Sequence, residues 1–256
     1  MTAPDTPRSK LTIRVLSESG QLLRGGPELL STPGLKWIDL EGQTDATMQQ
    51  LASLFPIHKL AVEDCLHLDQ RPKFEEYPGH HFVVLHAFTA AAADICDVSL
   101  HEVHFIFTDE WLITVHLNPV PALEEVSSQI DESPQFTIGR GTDFLLYLLA
   151  DALVDLNFPL IDRFNDELEE LELGIFEAPR QAHLRRSFKL RQMLVQMRRV
   201  LSPQRDVVGL LARLELKHDQ ERTALYFRDV YDHLVRLYEQ IDTARDMLSN
   251  AMEAYL

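Results

Sequence analysis

The 256-residue sequence has few cysteines and no long uninterrupted apolar run. Its two cysteines, Cys65 and Cys96, form neither a C-x-x-C pair nor a disulfide framework, which favours a reducing cytoplasm. A membrane-spanning helix needs about 20 consecutive, predominantly apolar residues. The most apolar window, residues 144–158, is interrupted by Asp151 and Asp155. These absences predict that the chain as given is soluble.

Basic residues are also scarce, at 24 against 40 acidic residues, and the formal net charge is -16. A charge of this sign repels phosphate backbones, so the sequence predicts no nucleic-acid partner. The same charge attracts cations. It therefore permits a cation-binding function without identifying one.

Enzyme motifs are missing as well. The sequence contains no G-x-S-x-G, no Walker-type loop and no G-x-G-x-x-G, the patterns that would indicate a hydrolase or a nucleotide-binding fold. Eleven histidines suggest a metalloenzyme, but "HEVH" (His101 to His104) is not H-E-x-x-H, and residues three apart on a strand point to opposite faces. We therefore predict no enzyme; a metal-dependent hydrolase would need a converged histidine-carboxylate site.

Strand patterns are present from Lys10 to about Asn118. Five segments rich in Val, Ile, Phe and Trp predict strands: LTIRVL, LKWIDL, HFVVLHAF, VSLHEVHFIF and WLITVHL. Thr108 to Glu110, between the last two, has the length of a hairpin turn, and helical segments interleave with the strands. We predict a flexible tail at residues 1–10 and a domain with a mixed, largely antiparallel sheet at residues 11–141, so the fold class is α+β.

The strand period disappears after Gly141, and the remainder, residues 142–256, is predicted to be helical. Pro159 predicts a kink or a break. Acidic residues crowd positions 162–177 and basic residues crowd 180–205, which is typical of an antiparallel helical hairpin with oppositely charged arms. We place this hairpin within 142–202 and a long stalk helix at about 210–256.

The last helix carries a heptad pattern of apolar residues, which predicts packing against another helix, often a symmetry copy. The apolar positions are Phe227, Val230, Leu234, Leu237, Ile241, Ala244, Leu248, Ala251 and Tyr255. Asp229, Asp232 and His233 share one flank beside this seam. Carboxylates suit Mg2+, and an imidazole adds affinity for Co2+ or Zn2+. The alternative is that Asp229 pairs with a neighbouring arginine and His233 is a plain surface residue.

Four collinear segments resemble the CorA divalent-cation transporters. They are VEDCLHLDQRPKFEEYPGHHFVVLHAFT, DFLLYLLADALVD, LSPQRDVV and YFRDVYDHLVRLYEQIDTARDMLSNAMEAYL, and the resemblance covers roughly residues 35 to 256. It implies an αβα sandwich domain at the cytoplasmic face of the inner (plasma) membrane, followed by a long stalk helix, in a homopentamer. It also implies that two membrane helices, joined by a Gly-Met-Asn loop, follow the segment SNAMEAYL.

The resemblance further implies regulatory Mg2+ bound between neighbouring subunits. Asp229 matches the stalk-helix carboxylate of that site, with Asp232 and His233 beside it. The partner carboxylate is expected in the loop after HAFT, where Ala91 stands at the matching position and Asp94 is the nearest acid. The expected function is metal sensing by a Mg2+/Co2+ channel. The alternatives are a Zn2+-transporting relative and a soluble oligomeric helical scaffold.

Overall fold

The computed structural model describes residues 9–178, 180–214 and 220–255. Within these residues, seven strands form one sheet. The strands are β1 (Lys10–Leu16), β2 (Leu22–Gly25), β3 (Leu35–Glu41), β4 (Lys73–Tyr77), β5 (His80–Ala90), β6 (Val98–Phe107) and β7 (Trp111–His116).

The sheet has the order β2-β1-β3-β7-β6-β5-β4. Only the central β3–β7 pair is parallel, so the prediction of a mixed, largely antiparallel sheet is confirmed. The hairpin predicted at Thr108 to Glu110 is confirmed too, since β6 and β7 pair antiparallel on either side of it.

Seven α-helices surround and extend the sheet. They are α1 (Asp45–Leu54), α2 (Lys59–Leu66), α3 (Pro121–Glu132), α4 (Thr142–Asp155), α5 (Phe158–Glu177), α6 (Gln181–Leu211) and α7 (Gln220–Tyr255). Short 3-10 turns lie at Pro27–Leu29, Pro134–Phe136 and Ile138–Arg140. Pro159 lies at the start of α5, so the predicted break in the helical region occurs between α4 and α5.

Alternating strand residues bury two separate cores, one on each face of the sheet. On one face, side chains such as Val84 and Ile106 pack with Met48 and Leu51 of α1 and Val62 of α2. On the other face, Val83 and Phe105 belong to a larger core that takes in α3, α4 and the long helices. The αβα sandwich implied by the resemblance is confirmed.

Two short edge strands were not predicted. β2 and β4 lie at opposite ends of the sheet, and each pairs with only one neighbour. The segment RGGP, which is typical of a turn, contributes Arg24 and Gly25 to β2. In KFEEY, two adjacent glutamates obscure the strand pattern of β4. Lys10, assigned to the tail, is the first residue of β1, and the tail residues 1–8 lie outside the described residues.

Two helix boundaries also differ from prediction. The last helix begins at Gln220, not near Leu210, which belongs to α6. Helix α6 does not end at Pro203 but continues to Leu211. Proline removes one backbone hydrogen bond from a helix interior. The two turns beyond it bury Val207, Val208 and Leu211 in the core, and this burial favours continuation of the helix.

The apolar seam of α7 is buried within its own chain. From Phe227 to Ala251 every seam residue is at most 6% exposed, packed against α4, α5 and α6. The side chain of Tyr255 lies outside the described residues. The heptad pattern therefore predicted helix packing correctly, and of the two kinds of partner it allows, the chain's own helices and not a symmetry copy cover the seam.

One stretch of the described residues, Thr142–Glu177, has the length and composition of a membrane-spanning helix. It comprises α4 and α5, and 56% of its most apolar window is buried inside the protein. Core helices of soluble proteins have the same composition. The sequence had predicted no such stretch, because Asp151 and Asp155 interrupt it.

Side-chain amides join the long helices to the sheet. β5 extends beyond the end of β4, which leaves its outer backbone groups without a strand partner. Gln204 of α6 accepts a hydrogen bond from the His86 N–H and donates to the His86 carbonyl, at 2.7 and 3.0 Å. Asn157 accepts from the Phe88 N–H at 3.1 Å. Because unpaired buried backbone groups are costly, these bonds fix the helices against the sheet.

Candidate metal centre

Acidic and imidazole side chains of α4 and α7 converge at one point. Asp151, Asp229 and His233 each offer a ligand atom, and these atoms lie within 4.8 Å of one another. His233 contacts both helices: its Nε2 is 3.8 Å from Oδ2 of Asp229, and its Nδ1 is 3.7 Å from Oδ1 of Asp151. Among the described residues, this group alone has three metal-type side chains so close together.

The local sequence of each helix explains the convergence. Asp229 and His233 are one turn apart on α7, as are Asp151 and Asp155 on α4, and residues at that spacing lie on the same helix face. The seam residues Val230 and Leu234 hold α7 against α4. The polar flank of α7 is thereby placed against the two aspartates of α4.

Like charge and burial raise the pKa of Asp151 to about 6. Burial of the carboxyl group is the largest cause, and the neighbouring carboxylates of Asp155 and Asp229 add to it, whereas His233 opposes the shift. The Oδ1 atom of Asp151 is buried and accepts no hydrogen bond within the described residues. The cluster therefore holds excess negative charge that a bound cation would neutralise.

An aromatic contact fixes the imidazole. The ring of Phe158, at the start of α5, meets His233 edge-to-face at 5.8 Å between centroids. Arg236 lies over the same Phe158 ring at 5.0 Å. Asp155 lies 3.2 Å from Nδ1 of His233, so each ring nitrogen has a carboxylate close by. The ring is held in place before any ligand arrives.

The group is open on one side. The Asp229 side chain is 65% exposed, against 25% for Asp151 and 22% for His233. With one ligand atom each, two carboxylates and one imidazole leave three positions of an octahedral ion to water or to another chain, and Mg2+ usually keeps several waters. The imidazole suits Co2+ or Zn2+ as well.

Two residues predicted as ligands lie outside this group. Asp232 is exposed on α7 and is not among the converging residues. Asp94 accepts a hydrogen bond from Arg186 of α6 at 2.7 Å and another from the Cys96 N–H at 2.9 Å. These bonds, that from Arg186 foremost, lower the pKa of Asp94. Within the chain, Asp94 is therefore committed to an ion pair.

Asp151 is a candidate ligand that the sequence analysis did not identify. It appeared only as an interruption in an apolar window, together with Asp155. The available signal was their spacing, because two carboxylates one turn apart in an otherwise apolar helix face the same neighbour. Which neighbour they face depends on the packing of α4 against α7, which the sequence does not encode locally.

The buried histidines of the sheet have structural partners. Glu102 of β6 is bound by His104 at 2.6 Å and by His86 at 3.4 Å. Burial raises the pKa of Glu102, but the hydrogen bonds from the two histidines outweigh it and lower the pKa to about 2. His101 bonds Thr89 instead, so the expectation that His101 and His104 do not share a site agrees with the geometry.

Comparison with known proteins identifies the family. The sequence model of the CorA-like Mg2+ transporter proteins matches residues 33–256. The chain belongs to this family. Its members are ion transporters, so the family membership supports a transport role and not an enzymatic one.

Two relatives and one structure define the similarity. YfjQ of Bacillus subtilis, named as a metal ion transporter, is 30% identical over 96% of this chain and 76% of its own length. The cobalt/magnesium transport protein CorA of Thermotoga maritima is 34% identical over 88% of this chain and 64% of its own length. The soluble domain of CorA from Methanocaldococcus jannaschii has the same fold, with a TM-score of 0.80, 21% identity and 96% of each chain covered. This chain thus corresponds to part of the longer transporters.

Proposed function

We propose that this chain is the ion-sensing cytoplasmic part of a CorA-type transporter for divalent cations, with Mg2+ and Co2+ as the transported ions. The observation that carries the proposal is the convergence of Asp151, Asp229 and His233 in a member of this family. These residues bind a divalent cation, and its occupancy reports the cytoplasmic ion concentration.

The proposed mechanism of ion sensing is repulsion between carboxylates. Without a cation, the partly buried carboxylates of α4 and α7 repel one another, and this repulsion adds to the effect of burial in raising the pKa of Asp151. A divalent ion bridges them and ties α7 to α4. A ligand shifts a conformational equilibrium by its differential affinity for the two states, so an ion that requires this close arrangement favours it. The arrangement held by metal is the one that closes the transport path.

The proposal includes an ion shared between subunits of an oligomer. Asp229 is the most exposed member of the group, so its carboxylate is available to an ion shared with a neighbouring subunit. A homopentamer attached to the inner membrane through pore helices, as the family resemblance implies, places such neighbours around the stalk. Asp232 and Asp94 remain predicted ligands of an ion shared between neighbouring subunits.

Calorimetric titration of the purified chain with Mg2+, Co2+ and Zn2+ tests this function. We expect saturable Mg2+ binding in roughly the millimolar range, which is typical of sites with few carboxylates and several retained waters, and tighter Co2+ binding because of His233. Absence of binding for all three ions would contradict the sensing role and favour the helical scaffold. Binding of Zn2+ alone would favour the Zn2+-transporting alternative.

A further inference from the structure

We propose that a groove beside the stalk, which shares no lining residue with the metal-binding group, binds a nucleoside polyphosphate through arginine side chains. The groove has a volume of about 1080 Å³ and lies between α6, α7 and the loop 69–72 that precedes β4. A ligand of nucleotide size fits a cavity of several hundred Å³ or more.

The charge of the groove is opposite to that of the protein. Four arginines line it, namely Arg71, Arg198, Arg199 and Arg245, against one lining carboxylate, that of Asp69. The whole chain carries a net charge of -16. A concentration of guanidinium groups in such an acidic protein indicates an anionic ligand, because guanidinium binds phosphate through paired hydrogen bonds.

Among the described residues, two of these four arginine side chains have ion-pair or hydrogen-bond partners and two do not. Arg198 reaches Asp242 at 2.9 Å and donates to the Tyr238 hydroxyl at 2.7 Å. Arg245 pairs with Asp242 at 3.2 Å. Arg71 and Arg199 are exposed, and within the described parts of the chain neither side chain has an ion pair or hydrogen bond. Their guanidinium groups are available for phosphate oxygens.

The loop that carries Arg71 is held in one conformation. Asp69 has a φ of 74°, in the left-handed region that non-glycine residues seldom adopt. Its N–H donates to Oε2 of Glu102 at 3.1 Å, and Glu102 is itself held by His104 and His86. Backbone strain of this kind persists where the surroundings impose it, and it commonly accompanies ligand sites. The loop presents Arg71 to the groove without needing to fold around a ligand.

The floor contains a buried polar atom with no partner. His86 lines the groove and is 1% exposed, and its Nδ1 makes no hydrogen bond within the described residues. Buried polar groups normally have a partner. The Nδ1 atom is itself inaccessible, so it lies beneath the surface of the groove and offers no ligand contact.

Apolar walls distinguish an organic phosphate from a simple anion. Leu100, Leu194, Val195, Val200 and Ile241 line the groove, and Val195 is 56% exposed. Leu194 and Ile241 are already buried, so a base and sugar would gain chiefly by removing the exposed side chains of Leu100 and Val195 from water. Since the sequence has no glycine-rich phosphate loop, arginine side chains and not backbone N–H groups would hold the phosphates.

Calorimetry with ATP in the presence of EDTA tests the proposal apart from the metal-binding group. We expect saturable ATP binding, with inorganic tripolyphosphate binding more weakly and adenosine not at all. Arg71→Ala/Arg199→Ala should weaken ATP binding by about tenfold or more, because both substitutions remove charge-assisted hydrogen bonds to the phosphates. The control Arg185→Ala/Arg191→Ala removes the same charge from exposed positions of α6 outside the groove and should leave the affinity unchanged.

Each contrary result would overturn a stated part. An isolated surface arginine pair binds no anion tightly. The arginine site would therefore be refuted if the wild type did not bind ATP up to about ten millimolar. It would also be refuted if the double variant bound ATP as tightly as the wild type. Tripolyphosphate binding as tight as ATP would refute recognition of the nucleoside. Circular dichroism of the double variant checks that it folds. Because EDTA removes divalent ions, none of these results depends on the proposed metal sensing.

Discussion

Oδ1 of Asp151 lies 3.7 Å from Nδ1 of His233, which brings a carboxylate of α4 to the stalk helix. With Asp229 on the other side of the imidazole, the contact forms a three-residue group at the boundary between two helices. A divalent cation at this position would join α4 to α7. The consequences of this arrangement can be tested residue by residue.

Asp151→Asn should stabilise the metal-free protein near neutral pH. The pKa of Asp151 is raised to about 6 in the folded state, above its ordinary value of 3.8, so the unfolded chain loses this proton at lower pH than the folded chain does. Below pH 3.8 the Asp151 carboxyl group is protonated in both states, and the stability of the folded state that depends on this proton is fully present. That stability is lost as the pH rises through 6 and the carboxyl group ionises in the folded state. We expect the variant to be about 1–2 kcal/mol more stable than wild type at pH 7.5, after allowance for partial solvent exposure.

Urea unfolding in EDTA at several pH values measures this effect. The gain should shrink steadily towards pH 4, and Asp155→Asn, a more exposed aspartate on the same helix face, should gain less. A stability difference that does not change with pH would contradict the proposed charge repulsion at Asp151.

His233→Ala should change ion preference more than overall binding. Imidazole nitrogen is a better ligand for Co2+ and Zn2+ than for Mg2+. We expect the affinity for Co2+ to fall by about tenfold or more, within the range that loss of a ligand or its support costs, and that for Mg2+ to fall much less. Competition titrations of the two ions measure the ratio. An equal loss for both ions would mean that His233 is not a ligand.

Asn157→Ala should strongly destabilise the fold. Asn157 is fully buried, accepts from the Phe88 N–H and donates to the carbonyls of Leu153 and Val154, so it joins the end of α4 to β5. Loss of these bonds leaves buried backbone groups unpaired, at a cost of about 2–3 kcal/mol. Asn250→Ala, at an exposed position of α7, should change stability by less than about 0.5 kcal/mol in the same urea titration. Similar losses for both variants would contradict the role of Asn157.

The variant Asp94→Asn tests whether Asp94 serves only in the ion pair with Arg186 or also binds metal. Arg186 holds Asp94 at 2.7 Å and Glu167 at 2.6 Å, and so joins the loop after β5 to both α5 and α6. We expect a small loss of stability that diminishes at high salt, because the pair is partly exposed. The rise in melting temperature with Mg2+ should be unchanged. Loss of that rise would instead establish Asp94 as a ligand, as the sequence resemblance implied.

The sheet domain was largely predictable because its central strands are buried on both faces and carry strong apolar patterns. β2 and β4 were missed because edge strands need few apolar residues: β2 has four residues, including Arg24 and Gly25, and β4 contains Glu75 and Glu76. The seam of α7 predicted burial but not its partner. A heptad pattern indicates only that one face of a helix is buried. That α4, α5 and α6 pack against this face follows from the topology of the fold.

Two of the three residues of the candidate site were predictable from the sequence. Asp229 and His233 are one turn apart, so their convergence follows from helix geometry alone. Asp151 joins them from a distant segment, and no local pattern specifies that α4 lies beside α7. Asp232 has the same residue type as Asp229 and lies three residues away on the same helix, yet it is exposed and not among the converging residues. Spacing on one helix did not separate these two aspartates.

That difference between Asp229 and Asp232 provides the most direct test. Thermal melts of wild type, Asp229→Asn and Asp232→Asn would be compared in EDTA and in about 10 mM Mg2+, where an ion bound to the folded state raises the melting temperature by mass action. We predict a rise for wild type and Asp232→Asn, and little or none for Asp229→Asn. An undiminished rise in Asp229→Asn, or no rise in wild type up to tens of millimolar Mg2+, would contradict a metal-sensing group on α4 and α7.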